Sequence, residues 1–240
     1  MRNFRLVLEY DGTDFRGWQI QPGERTVQGE LSRAIAETTG ETRKVTGAGR
    51  TDAGVHAVAQ VASFASETRL GPAVLRRAFN ARLPVDIRVR SVEEAPGGFN
   101  ARFDAKNRTY RYVFITRSTA LWRNYYYLVT AALDLPAMRR ALAELRGERD
   151  FTTFASSRDD SRTKRCVVSK ADLIETPPLL ALEITADHFL HHMVRSIAGT
   201  ALEIGRGKPW NMPEIIAARD PAAAGPTLPP HALYLMHVRY

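Results

Sequence analysis

Apolar residues alternate with polar ones at 4–10, where Phe4, Leu6, Leu8 and Tyr10 share one face and Arg5, Val7 and Glu9 the other. That period predicts a half-buried strand. Thr26 then reads as a helix N-cap, and Val27, Leu31, Ala34 and Ile35 fall on one helical face before Gly40. A short strand around Val45 leads through a glycine-rich connection to a strand over 55–64. Gly71-Pro72 opens a second helix with Leu75, Ala78, Phe79 and Leu83 inward and Arg76, Arg77 and Arg82 outward, stopped by Pro84. A fourth strand follows at 87–91, and Pro96-Gly97-Gly98 marks a linker over 95–105.

The second half repeats this order. Strands are expected at 109–116, 165–174, 179–185 and 233–240, with helices at 135–145 and 190–204. A short helix is expected after Pro213, and 221–230 reads as a Pro-rich loop. The pattern implies an α+β chain of two ferredoxin-like (βαββαβ) halves, an N-terminal subdomain at 1–103 and a C-terminal one at 104–240. No residues match between the halves, so pattern repeats without sequence. A groove between two such halves is the expected ligand site.

Composition narrows the class. The chain of 240 residues has no apolar run long enough for a membrane span, and the residues before the first strand carry no leader-like segment, so a soluble cytoplasmic protein is expected. Cys166 is the single cysteine, which excludes an internal disulfide and a multi-cysteine zinc site. The net charge is +8, and 29 of the 34 basic residues are arginine. Such a surplus favours a polyanionic partner, although a GC-rich genome also enriches arginine.

The candidate chemistry centres on residues 47–57, Gly47-Ala48-Gly49-Arg50-Thr51-Asp52-Ala53-Gly54-Val55-His56-Ala57. Three glycines allow a sharp turn and close approach of a large polar ligand, with Asp52 at the tip. An Asp in such a turn also serves as a backbone cap, so the loop by itself leaves both readings open. Phe15, Arg16, Trp18, Gln19 and Gln21 suit contact with RNA, while Phe15 and Trp18 taken singly are expected to cover the sheet.

GRTDAGVHA followed by Gln60-Val61 resembles the signature of the tRNA pseudouridine synthase A family. Phe15-Arg16-Gly17-Trp18-Gln19, Lys106 to Tyr112, Phe189 to Arg195 and Leu233-Tyr234-Leu235 extend the resemblance along the chain. It implies the pseudouridine synthase fold: a mixed, largely antiparallel sheet with pseudo-two-fold symmetry and a central basic cleft. It further implies isomerisation of uridines 38, 39 and 40 in the anticodon stem-loop of tRNA, and a homodimer. Ala59 and Ala232 stand where relatives often have glycine.

Isomerising uridine breaks the N1–ribose bond, rotates the base and rejoins it through C5, so it needs no added atom or electron. No cofactor is expected, in keeping with the lack of a Walker loop, dinucleotide fingerprint or metal-ligand cluster. A carboxylate suits this chemistry because it can attack carbon and leave again. Attack on the ribose, addition to the base and proton abstraction all remain open for Asp52 on sequence; the resemblance assigns it the nucleophile role. RNA closing over the carboxylate penalises its charge, and a nearby arginine offsets the penalty, with Arg50 and Arg195 as candidates. Phosphate binding is an equal reading for Arg50.

A stacked uridine must be extruded at a cost of a few kcal/mol, and one aromatic ring returns roughly 1–3 kcal/mol of this. The resemblance points to Tyr110 as that ring and as a possible proton acceptor. His56 is expected to pack or hydrogen-bond near the loop. His191 and His192, expected on different sides of a helix, are declined as metal ligands. Residues 150–165 read as a mobile RNA-contacting loop. A non-catalytic RNA-binding protein is the competing reading, opposed by the absence of an aromatic RNP motif; a tRNA-folding chaperone is compatible with either.

Overall fold

The computed structural model describes all 240 residues. In chain order the elements are β1 (Arg2–Tyr10), α1 (Val27–Thr39), β2 (Thr46–Gly47), β3 (His56–Ser66), α2 (Pro72–Arg82), β4 (Ile87–Ala95), β5 (Asn107–Ile115) and β6 (Tyr127–Leu128). They continue with α3 (Leu135–Ala143), β7 (Gly147–Asp150), β8 (Arg165–Thr176), β9 (Leu179–Ala186), α4 (Met193–Gly205), α5 (Met212–Ala218) and β10 (Leu233–Arg239). The chain is α+β with mostly antiparallel strand pairing, as expected. It forms two compact units, Met1–Lys106 with Tyr234–Tyr240, and Asn107–Leu233.

In the first unit β1 lies between β3 and β4, antiparallel to both, with Phe4 opposite Phe64 and Leu6 opposite Val92. The alternating face of β1 is the core: Phe4, Leu6 and Leu8 are fully buried. Phe64 stacks on Phe4 at 5.2 Å and receives the edge of Phe79 from α2 at 6.0 Å. Each fully buried ring of this kind contributes about 1.5–3 kcal/mol. α1 keeps the expected limits, with Thr26 Oγ1 accepting from the Gly29 N–H at 3.3 Å and Gly40 left-handed at φ 73°. It buries Val27, Leu31, Ala34 and Ile35.

The far edge of β3 is shared. β2 pairs antiparallel at Thr46–Ser63, and β10 pairs parallel at Tyr234–His56. The closing strand, which sequence order alone groups with the second half, thus lies beside the glycine loop of the first.

In the second unit β9 runs antiparallel between β5 and β8, and β7 extends β8. α3 and α4 approach closely at Gly205, where a Cβ would sit 2.6 Å from Met138 Sδ. α4 starts three residues later than its periodicity suggests. His192 sits at φ 67°, and this left-handed residue prevents the helix from extending back to Leu190. No helix is long and apolar enough to cross a membrane.

Candidate functional site

The glycine loop of the first unit is built against a second backbone. Asp52 opens a β-turn in which the Val55 N–H donates to the Asp52 carbonyl at 3.1 Å, and Gly54 at φ 79° supplies the left-handed third position. Asp52 is therefore the first corner of the turn, with Ala53 and Gly54 at the tip. The segment Gly12–Trp18 clamps this turn from outside. The Trp18 N–H donates to the Thr51 carbonyl at 3.0 Å, and the Gly54 N–H donates to the Phe15 carbonyl at 3.3 Å.

Two glycines make the clamp possible. A Cβ on Gly17, itself at φ 89°, would lie 2.6 Å from the Thr51 carbonyl oxygen and 3.1 Å from the Asp52 carbonyl carbon. One on Gly12 would lie 2.1 Å from the Val55 carbonyl oxygen. Below the loop, Tyr10 and Thr51 share a hydroxyl hydrogen bond of 2.8 Å, and Gln60 Nε2 donates to the Gly49 carbonyl at 2.9 Å. Burial pushes the Tyr10 pKa up to about 12, against the pull of its bonds to Thr51 and Gln60, so the phenol stays protonated as a structural group.

Phe15 and Trp18 are each 2% exposed, so they serve the core and the loop floor. The Trp18 ring lies where a Cβ on Gly47 would be, 2.5 Å from its Cε2. Arg25 covers Phe15 at 4.0 Å while bidentate to Asp86 at 2.8 and 2.9 Å. His56 is buried, accepts the Gly12 N–H on Nδ1 at 3.0 Å and stacks on Tyr234 at 4.9 Å. Its work is positional. Asp52 is half-buried and Arg50 exposed, and Arg50 forms no ion pair.

The second unit carries Tyr110 and Arg195. Tyr110, 7% exposed on β5, meets the edge of Phe189 at 5.0 Å. Alternation along β5 sends Arg111 to the opposite face, where Glu183 receives it at 2.6 Å and Lys170 at 2.8 Å. Burial opposes the Glu183 charge, but Lys170 and Arg111 together hold its carboxyl below the ordinary range. Tyr112 donates to the Pro229 carbonyl at 2.9 Å, and burial raises its pKa.

Arg195 is anchored to the same stretch: its Nε donates to the Leu228 carbonyl at 2.7 Å, and the Leu228 N–H returns to the Arg195 carbonyl at 3.3 Å. The Pro-rich loop can lie on α4 because Gly199 has no Cβ; one would fall 1.8 Å from the Pro226 carbonyl oxygen. This loop support for Arg195 left no periodic signal in the sequence. The Gly199 and Gly225 positions were its only trace.

Two expectations change here. His191 and His192 precede α4, and their rings stack at 3.9 Å instead of facing apart, because the left-handed turn at His192 folds them together. His191 Nδ1 lies 2.5 Å from Ser156 Oγ, and its backbone N–H donates to Asp159 at 2.7 Å. Residues 150–165 are also more tightly held than their composition suggests. Phe151 and Phe154 are core residues, and the Asp159 carboxylate is buried against Lys164, Ser161 and the His191 N–H. Burial opposes that charge, but these donors keep the Asp159 pKa below its ordinary value.

Cys166, His188 and Asp187 lie together in the second unit. Asp187 takes His188 Nδ1 at 3.0 Å, leaving Nε2 3.4 Å from the thiol. Burial, reinforced by Asp187, pushes the thiol pKa up to about 12, so Cys166 is held as a neutral thiol.

Comparison with known proteins places this geometry in context. A family model described as tRNA pseudouridine synthase matches residues 6–104 and 141–240. The chain is 43% identical to tRNA pseudouridine synthase A of Caldicellulosiruptor bescii, with all of both chains covered. It is 43% identical to that of Geobacillus sp. strain WCH70, covering 98% of it, and 41% identical to that of Sinorhizobium medicae, again over all of both chains.

Proposed function

The chain belongs to the tRNA pseudouridine synthase family and is an isomerase of uridine in tRNA, and from that premise we propose that it acts at positions 38, 39 and 40 of the anticodon stem-loop with Asp52 as nucleophile and no cofactor. The observation that carries this reading is the Asp52 turn, a partly exposed carboxylate whose backbone is fixed on both sides by main-chain hydrogen bonds. Preorganisation of that kind serves a group that must meet one carbon atom within a few tenths of an ångström.

In the proposed reaction the C1′–N1 bond breaks, the uracil rotates, and a C1′–C5 bond forms. The proton on C5 leaves and N1 gains one, so atoms and electrons balance within the nucleotide. Asp52 supplies the electron pair that holds the fragments in register and departs at the end. Tyr110 supports the extruded base, and its hydroxyl is the candidate acceptor for the C5 proton. Arg50 and Arg195 compensate the Asp52 charge or hold flanking phosphates. We propose a homodimer as the working assembly, to be checked by solution mass.

Because the C5 hydrogen is lost, tRNA tritiated at uracil C5 reports turnover directly. Release is expected from tRNAs carrying uridine at 38, 39 or 40 and is expected to vanish when all three are cytidine. Release that persists without those uridines would overturn the assignment of positions, and tight binding with no release would favour a non-catalytic RNA binder.

A further inference from the structure

We propose that the loop between β5 and β6 is an additional tRNA contact, in which Trp122 stacks on an unpaired base while Arg117 and Arg123 take the adjacent phosphates. The inference rests on the reading of this chain as a tRNA-modifying enzyme and adds a contact that its signature motifs do not include. Three independent features of the loop lead there.

The first is exposure on a fixed base. Thr116 donates its N–H and hydroxyl to the Pro178 carbonyl at 3.0 and 3.1 Å, and the Val129 N–H donates to the Ile115 carbonyl at 2.9 Å. Tyr127 packs its ring on Phe114 at 6.2 Å and on Tyr112 at 6.4 Å. Above this base the chain leaves the core, and Leu121 and Trp122 are 63% and 66% exposed. A single exposed apolar side chain is ordinary, so the indole points to a partner only together with the two features that follow.

The second is backbone conformation. Trp122 sits at φ 54°, a left-handed position that side chains of this size rarely adopt, and the Tyr125 N–H closes the turn on the Trp122 carbonyl at 2.8 Å. Trp122 is the first corner of this turn, with Arg123 and Asn124 at its tip, and its ring stays exposed.

The third is charge. No Asp or Glu occurs between Asp104 and Asp134, whereas Arg117 and Arg123 flank the tryptophan. The other exposed arginines of this unit divide: Arg139 pairs with Glu175, Arg146 with Asp172 and Arg165 with Glu148, whereas Arg140, Arg149, Arg158 and Arg162 form no ion pair, so it is the adjacency of Arg117 and Arg123 to Trp122 that distinguishes this loop. Arg117 and Arg123 form no ion pair. Two cations beside one exposed aromatic, without an acid nearby in sequence, complement a single-stranded polyanion, because every base offers a face to the indole and each phosphate a partner for a guanidinium. Self-association through the same tips is disfavoured, since a two-fold contact would gather four guanidiniums with no carboxylate from the segment.

The test is tRNA affinity by fluorescence anisotropy for Trp122→Ala, Trp122→Phe, Arg117→Ala and Arg123→Ala. Trp122→Ala is expected to weaken binding roughly 5- to 100-fold, and Trp122→Phe to restore most of it. Each arginine variant is expected to weaken binding and lower the slope of log K against log salt by about one. Oxidative footprinting of the wild type read by mass spectrometry is expected to show the Trp122 peptide protected when tRNA is added. Unchanged affinity for Trp122→Ala, or protection that depends on protein concentration without tRNA, would overturn the proposal; the latter would assign the tip to a second copy. These readouts do not use turnover, so a failure of the catalytic assignment would show separately as absent tritium release beside intact Trp122 protection.

Discussion

Replacing Asp52 with Asn is expected to abolish tritium release from C5-labelled tRNA, by at least roughly a thousandfold, while tRNA affinity stays within a few-fold of the wild type. The amide is nearly isosteric, so the turn that holds residue 52 should persist. Its fixing bonds are main-chain ones, from Trp18 to the Thr51 carbonyl and from Val55 to the Asp52 carbonyl. What is lost is the electron pair and negative charge of a nucleophile. Affinity is largely spared because RNA binding of this kind rests on many phosphate contacts, none of them made by a carboxylate. Single-turnover release together with filter-binding affinity checks both halves. Turnover near the wild-type rate in this variant would refute the assignment of Asp52.

Gly17→Ala is the second change expected to have a large effect, although residue 17 carries no chemistry. A methyl at this position would meet the Thr51 carbonyl oxygen at 2.6 Å, and the backbone angle of 89° is one that alanine adopts at a cost of about 1–2 kcal/mol. Relief of the overlap by local shifts adds roughly 1–3 kcal/mol. The atoms that must shift belong to the turn that carries Asp52, the proposed nucleophile, so a rate loss of about a hundredfold or more is expected even where the protein remains folded. Thermal unfolding measured beside turnover separates the two costs. A variant that loses stability yet keeps full turnover would show that the clamp supports folding alone.

Much of the first unit was legible before any coordinates. The helix from Thr26 to Gly40 announced itself through a cap, a 3.6-residue period and a left-handed stop, all of which are local. The alternating face of β1 was equally plain, because its burial is set by one period. The glycine loop was found by composition, but the sequence did not show why it is rigid. Gly12 lies 43 positions from Val55 and Gly17 34 from Thr51, and close approach of two backbones leaves no hydrophobic pattern.

The same limit explains the errors in the second unit. Leu190 fits the helical period of α4, but the turn at His192 decides where the helix begins and brings His191 and His192 face to face. Residues 150–165 read as solvated because they are rich in charge and hydroxyls, and most of 156–165 is indeed exposed; what that reading misses is the anchoring by Phe151, Phe154 and the buried Asp159 carboxylate. Phe15 and Trp18 were rightly expected to be sheet cover when taken singly. The two-residue strands β2 and β6 are too short for any periodicity to reveal.

The most direct test of the central claim is a crystal structure of the Asp52→Asn protein with an anticodon stem-loop bearing uridine at position 39. The account predicts the uridine extruded from its stack, with the residue 52 side chain about 3–3.5 Å from the carbon it attacks and the Tyr110 ring against the base. A target uridine bound elsewhere on the protein, with residue 52 facing solvent or phosphate alone, would contradict it.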